Sequence, residues 1–83
     1  MTSRYRKERV RVAVIFEPGG RLRPVWFEWE KRRCQVRETT YRWQGQRGSA
    51  TLLHFAVCDE AALYELTYNL QEQSWAIEQI EAL

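Results

Sequence analysis

Apolar and polar residues alternate along most of this chain. Val10, Val12, Val14 and Phe16 alternate with Arg9, Arg11, Ala13 and Ile15, the period of a strand with one face on a core. Glu17-Pro18-Gly19-Gly20 follows. Proline presets φ at the second position of a turn and Gly19 supplies a positive φ at the third, so a type II reversal is predicted. Alternation resumes over Arg21 to Glu30, with Val25, Phe27 and Trp29 on one face and Trp26, Glu28 and Glu30 on the other. Pro24 cannot donate to a ladder and belongs near the start of that strand or on an edge. The next reversal, Glu30-Lys31-Arg32-Arg33, has no Gly, Asn or Asp. A tight primed turn there would hold a long side chain at positive φ, at about 1 kcal/mol.

Arg33 to Trp43 starts with Cys34 and Val36 on one face, yet its later apolar residues, Tyr41 and Trp43, have the other parity. A one-residue flip is what a β-bulge produces, and Glu38-Thr39-Thr40 is its predicted place. Residues 44–49 read as a loop. Leu53, Phe55 and Val57 then alternate with Leu52, His54, Ala56 and Cys58, a strand apolar on both faces and therefore central.

The last third carries two periods. Tyr64, Leu66, Tyr68 and Leu70 have period 2, while Ala62, Leu63, Leu66 and Leu70 fit a helical face behind an Asp59 cap. The aromatic and β-branched residues favour a strand. Ser74 to Leu83 shows the same conflict, and a strand ending in a helical turn is predicted. The fold class is thus all-β: a six-stranded antiparallel meander, curled or closed into a small barrel, forming one domain over residues 1–83 with residues 1–7 as a flexible basic arm.

Charge changes this picture more than composition does. With 45% hydrophobic and 13% aromatic residues the chain has the makings of a folded core, and its net charge is only +2. All 13 Lys and Arg, however, lie in residues 1–47 with five Glu, a balance of +8. Residues 48–83 carry six acids and no Lys or Arg, a balance of −6.

The residues Pro24-Val25-Trp26-Phe27-Glu28-Trp29, then Val36, Tyr41-Arg42-Trp43, His54-Phe55-Ala56-Val57, Tyr64-Glu65-Leu66 and Trp75 resemble a family of short uncharacterised bacterial proteins. The family pattern is a proline, alternating aromatics ending in Trp, a basic turn, a Val strand, a Trp, and a late Tyr-Glu-Leu followed by Trp. The resemblance covers about residues 21–77. It differs at Lys31, where relatives often have Gly, and at Cys34, where they usually have an aromatic residue. These are core and turn positions, which specify a fold more than an activity. Relatives sit beside, or are attached to, translesion DNA-repair proteins, which implies a nucleic-acid context.

Several chemistries find no support in the residues. His54 is the only histidine, and no Gly-x-Ser-x-Gly, His-Glu-x-x-His or phosphate-holding glycine loop occurs. No enzyme and no cofactor is expected. His54 and Cys58 share a parity, but four residues along a strand span about 13 Å, too far for a common metal ion. Cys34 and Cys58 read as reduced, partly buried thiols. No run reaches the roughly 18 apolar residues of a membrane helix, and the start has no signal-peptide core, so a mature cytoplasmic chain is expected.

The suggestive constellation is basic and aromatic. Arg9 and Arg11, the tip Lys31-Arg32-Arg33, and Arg42 and Arg47 around Trp43 are candidates to contact phosphates, with Trp26 and Tyr41 to stack on bases. The competing reading sets Arg37 or Arg42 opposite Glu65, Glu72 or Glu78, so that the halves neutralise each other. The expectations are a nucleic-acid-binding accessory module or, alternatively, a protein-interaction or self-association module working through complementary halves or an edge strand. Expected partners are accordingly single-stranded nucleic acid or another protein, not a membrane, with the chain a monomer or weak homodimer.

Overall fold

Wherever a helical reading competed with alternation, alternation prevails. The computed structural model describes residues 3–82, and the side chains of residues 7–82, as strands and turns without a helix. There are eight strands: β1 (Ser3–Arg9), β2 (Arg11–Phe16), β3 (Leu22–Trp29), β4 (Arg32–Gln35), β5 (Glu38–Arg47), β6 (Ala50–Cys58), β7 (Ala62–Asn69) and β8 (Ser74–Ala82). They form two antiparallel sheets, β2-β3-β4 and β1-β8-β7-β6-β5, which do not close into a barrel.

The count differs from the expected six at two corners. Val10 alone separates β1 from β2, and its N–H still donates to Trp75 O at 3.1 Å. Val36 and Arg37 separate β4 from β5, with Val36 N donating to Val25 O and Arg37 N to Cys58 O. Each corner carries one alternating run out of one sheet and into the other, so a pattern that reads as one strand serves as two. The residues read as a flexible arm divide as well. Met1 and Thr2 lie outside the described residues, whereas Ser3–Arg9 is a strand along β8.

The turns follow their chemistry. Gly20 N donates to Glu17 O at 2.9 Å and Gly19 has φ +100°, the expected type II reversal. The two-residue turn between β3 and β4 holds both Glu30 (φ +50°) and Lys31 (φ +62°) in the left-handed region, a strain of about 1 kcal/mol or more at each. The paired strands on either side, Trp29 opposite Arg32 and Phe27 opposite Cys34, hold it. The expected loop over 44–49 shrinks to Gly48-Ser49. Arg47 already pairs with Ala50, and Gly48 takes φ +62° at the first turn position, where a type II′ turn wants glycine.

The last turn decides the C-terminal third. Asn69 Oδ1 accepts from Gln71 N and Glu72 N at 2.9 Å each, and Gln73 N donates to Asn69 O at 2.7 Å. The chain is thereby sent back on itself, and residues 62–69 pair with 74–82 rather than winding up. Ser74–Ala82 is strand throughout, without the expected terminal helical turn. Asp59 likewise caps a turn and not a helix. Its Oδ1 accepts from Ala61 N and Ala62 N, and its Oδ2 from the Tyr64 hydroxyl at 2.9 Å.

The core lies between the sheets. Phe27 and Cys34 from the smaller sheet meet Phe55, Val57, Tyr64, Leu66, Ile77 and Ile80 from the larger. Phe27 and Tyr64 pack edge to face at 4.8 Å, the arrangement the ring quadrupoles favour. Burial and the Asp59 contact together push the Tyr64 phenol well above its ordinary pKa, and burial pushes the Cys34 thiol up. Both cysteines are free, with Cys34 buried. Pro24, fully buried, is the third residue of β3 and lies beyond the β3–β4 ladder, which ends at Trp26 opposite Gln35. The described chain is compact, with a radius of gyration of 12.2 Å, and no helix is long and apolar enough to cross a membrane.

Candidate functional site

Because Phe55 and Val57 face the core, their neighbours Leu52, His54 and Ala56 face outward from the larger sheet. Register then assembles two rows on that outer face. Tyr41, Ala56, Glu65 and Gln79 stand side by side across β5, β6, β7 and β8, and Trp43, His54, Thr67 and Ala76 form the next row. The expected bulge makes this possible. The β5–β6 register slips between Thr39 and Tyr41, leaving Thr40 over, so Thr39 faces the core side and Tyr41 the outside.

Three rings run along this face. Tyr41 stacks on Trp43 at 5.4 Å, and Trp43 lies nearly parallel to His54 at 4.9 Å with 8° between planes. Tyr41 is 65% exposed and Trp43 36%. The stack is fixed from beneath: His54 Nδ1 lies 3.1 Å from Thr67 Oγ1 and 3.3 Å from Glu65 Oε2. Gly45 completes the seat, since a Cβ there would meet His54 Nε2 at 3.2 Å. His54 is therefore the aromatic floor of a surface feature.

Beside the stack is a cavity of about 230 Å³. Ala56, the one small side chain in the first row, opens it. Tyr41 and Trp43 line it on the β5 side, Leu63 and Glu65 on β7, and Glu81 on β8. Glu81 makes no salt bridge among the described residues. Aromatic faces on one side and carboxylates on the other present negative potential from both.

The expected basic residues do not gather there. Arg9, at the end of β1, pairs with Glu72 at 3.0 Å. Arg11 on β2 and Arg33 on β4 stand directly opposite Glu28 on either side and approach it at 3.7 and 3.8 Å. Arg33 also lies over the Trp26 ring at 3.8 Å, which covers the aromatic face expected to stack on a base. Arg42 turns the other way, donating from Nη1 to Leu22 O at 2.7 Å and lying over Phe55. Arg47 reaches across two strands to Glu78 at 3.4 Å. Lys31 and Arg32 stand exposed at and beside the β3–β4 turn.

Pairing between the halves thus occurs, with partners other than those expected. Arg37 takes Glu60 at 3.6 Å, and Glu72 and Glu78 are taken by Arg9 and Arg47. Of the nine candidate binding residues, only Tyr41 lines the aromatic cavity. Its other walls, Glu65 and Glu81, were missed, because only cross-strand register brings them to Tyr41. Comparison of the chain with protein families, with curated proteins and with solved structures finds no match.

Proposed function

We propose that the chain is a protein-interaction module that takes an extended partner segment along the edge of β5 and over the aromatic outer face. One observation carries this reading. Arg9, Arg11, Arg33, Arg37, Arg42 and Arg47 are spent on acids, a carbonyl and rings of their own fold, whereas Tyr41 and Trp43 stay exposed on a strand with no neighbour on its far side among the described residues. An edge strand offers unpaired N–H and C=O groups to an added strand, and exposed aromatics beside it supply contact area. β5 is also the longest strand, at ten residues. A single strand of nucleic acid is the competing ligand. Its phosphates would approach Glu65 and Glu81 if its bases stacked on Tyr41 and Trp43, which disfavours it.

The test sets the two ligands side by side. Peptides selected from a random nine-residue library against the full chain should bind with micromolar dissociation constants and weaken at least tenfold in the Tyr41→Ala/Trp43→Ala variant. Failure to select any such peptide, or binding of a twelve-nucleotide single strand with a log–log salt slope of about −3 to −5, overturns the reading. The second result would restore the nucleic-acid alternative.

A further inference from the structure

We infer that the cavity between Tyr41, Trp43, Glu65 and Glu81 holds a cationic side chain, Lys or Arg, of the partner segment. This rests on the interaction reading and goes beyond it by naming what the partner must carry. Three independent features converge. The wall on β5 is aromatic and exposed, and a cation over such a face is attracted by the ring quadrupole. The wall on β7 and β8 supplies two carboxylates, Glu65 and Glu81. At about 230 Å³ the space admits one long basic side chain, and Leu63 and the Ala56 methyl offer apolar contact to its methylenes.

The neighbouring contacts explain why the site selects charge. Glu65 Oε2 is turned toward His54, so its carboxylate is held in place rather than swinging into solvent. Trp43 is held by stacking on both sides, by Tyr41 and by His54. Walls that are already fixed lose little freedom on binding. A carboxylate from a ligand would meet two like charges here, and a neutral apolar side chain would leave Glu65 and Glu81 to lose water without compensation. Position along the segment also follows. A strand paired with the free edge of β5 lies two strand spacings, about 10 Å, from Ala56, so the basic residue belongs to the part of the segment that crosses over the outer face rather than to one paired with β5.

A titration with small compounds tests the cavity without any partner. Isotope-labelled chain is titrated with Nα-acetyl-lysine-N-methylamide and, in parallel, with its norleucine counterpart, following the Trp43 indole and the amides of Ala56 and Glu65. The lysine compound should give saturable shifts in the millimolar range, and the norleucine compound at least fivefold weaker ones. Glu65→Gln/Glu81→Gln should lose the difference. Tyr41→Ala, at an exposed position where folding is not at stake, should weaken the lysine compound at least threefold. Equal shifts from the two compounds, or none from either, overturn the proposal. The peptide selection is a separate readout: selected peptides that dock on β5 with no preference for Lys or Arg also overturn it, while leaving the interaction reading intact.

Discussion

The outer faces of the two sheets are built from the same ingredients and end in opposite states. On the smaller sheet Trp26 lies under the Arg33 guanidinium, and Glu28 stands between Arg11 and Arg33. Aromatic face, cation and carboxylate satisfy one another within three strands. On the larger sheet Tyr41 and Trp43 are followed across the row by Ala56 and then by Glu65, with no arginine over the rings among the described side chains. Proximity in register is the whole difference. The smaller sheet supplies its own cation from the adjacent strand, and the larger supplies a methyl group where a cation would fit. A surface that completes itself needs no partner, and one that presents two of three components invites the third.

The most damaging change should strike what the two faces share. Phe27→Ala removes the ring that joins the sheets and should cost about 3–5 kcal/mol, read as a fall in the urea midpoint. Loss of one face alone would show that the sheets fold independently. Next, Tyr64→Phe deletes the hydroxyl bonded to Asp59 and should cost about 1–3 kcal/mol. It should also change the alkaline limb. With the folded pKa of Tyr64 and Cys34 raised, the native state holds protons the unfolded chain has lost, so stability is fully present below about pH 8.5 and falls as pH rises above it. The Phe variant should lose part of that fall, measured by denaturation at pH 7 to 10.5.

Charge reversal probes the contrast itself. Glu28→Lys places three cations side by side and should cost roughly 1–2 kcal/mol, whereas Glu81→Lys on the open face should stay within about 0.5 kcal/mol. Equal costs would mean that both faces are closed. The smallest effect belongs to Tyr41→Ala, which should leave the urea midpoint within about 0.5 kcal/mol while shifting Trp43 emission. A larger loss would make Tyr41 a structural residue.

Much of this fold is legible in the alternation. The Pro18-Gly19 reversal and the central place of residues 52–58 each follow from a local rule that nothing distant overrides, whereas the bulge falls at 38–40 as expected but leaves Tyr41 and Trp43 on the outer face instead of the core face of Cys34 and Val36. What alternation does not carry is where a run changes sheets. The corner at Val10 keeps the parity on either side, whereas at Val36-Arg37 the core-facing position passes from Val36 to Thr39, and both corners are set by which strand lies alongside. The cavity was hidden by one loop. Taking 44–49 as a loop leaves the β5–β6 register open, whereas a two-residue turn at Gly48-Ser49 forces Tyr41 opposite Ala56, and the Asp59 turn then sets Ala56 beside Glu65. The arginines misled for a related reason. Their number is visible in the chain, but the acid each one finds, such as Glu72 for Arg9 across 63 residues, is a property of the assembled sheets.

The first strand lies against the last, with Ser3 opposite Glu81 and Arg9 opposite Ala76. Bringing those partners together closes a loop of nearly the entire chain, an entropic cost on the order of 4 kcal/mol. The three hairpins β5–β6, β6–β7 and β7–β8 each close over a few residues. The clasp is therefore the dearest contact to form and the natural last step of folding. Until it closes, β8 is a bare edge next to Glu81, open to the β1 of another copy as readily as to its own. Strand exchange between two chains at high concentration would thus regenerate the same sheet from two molecules.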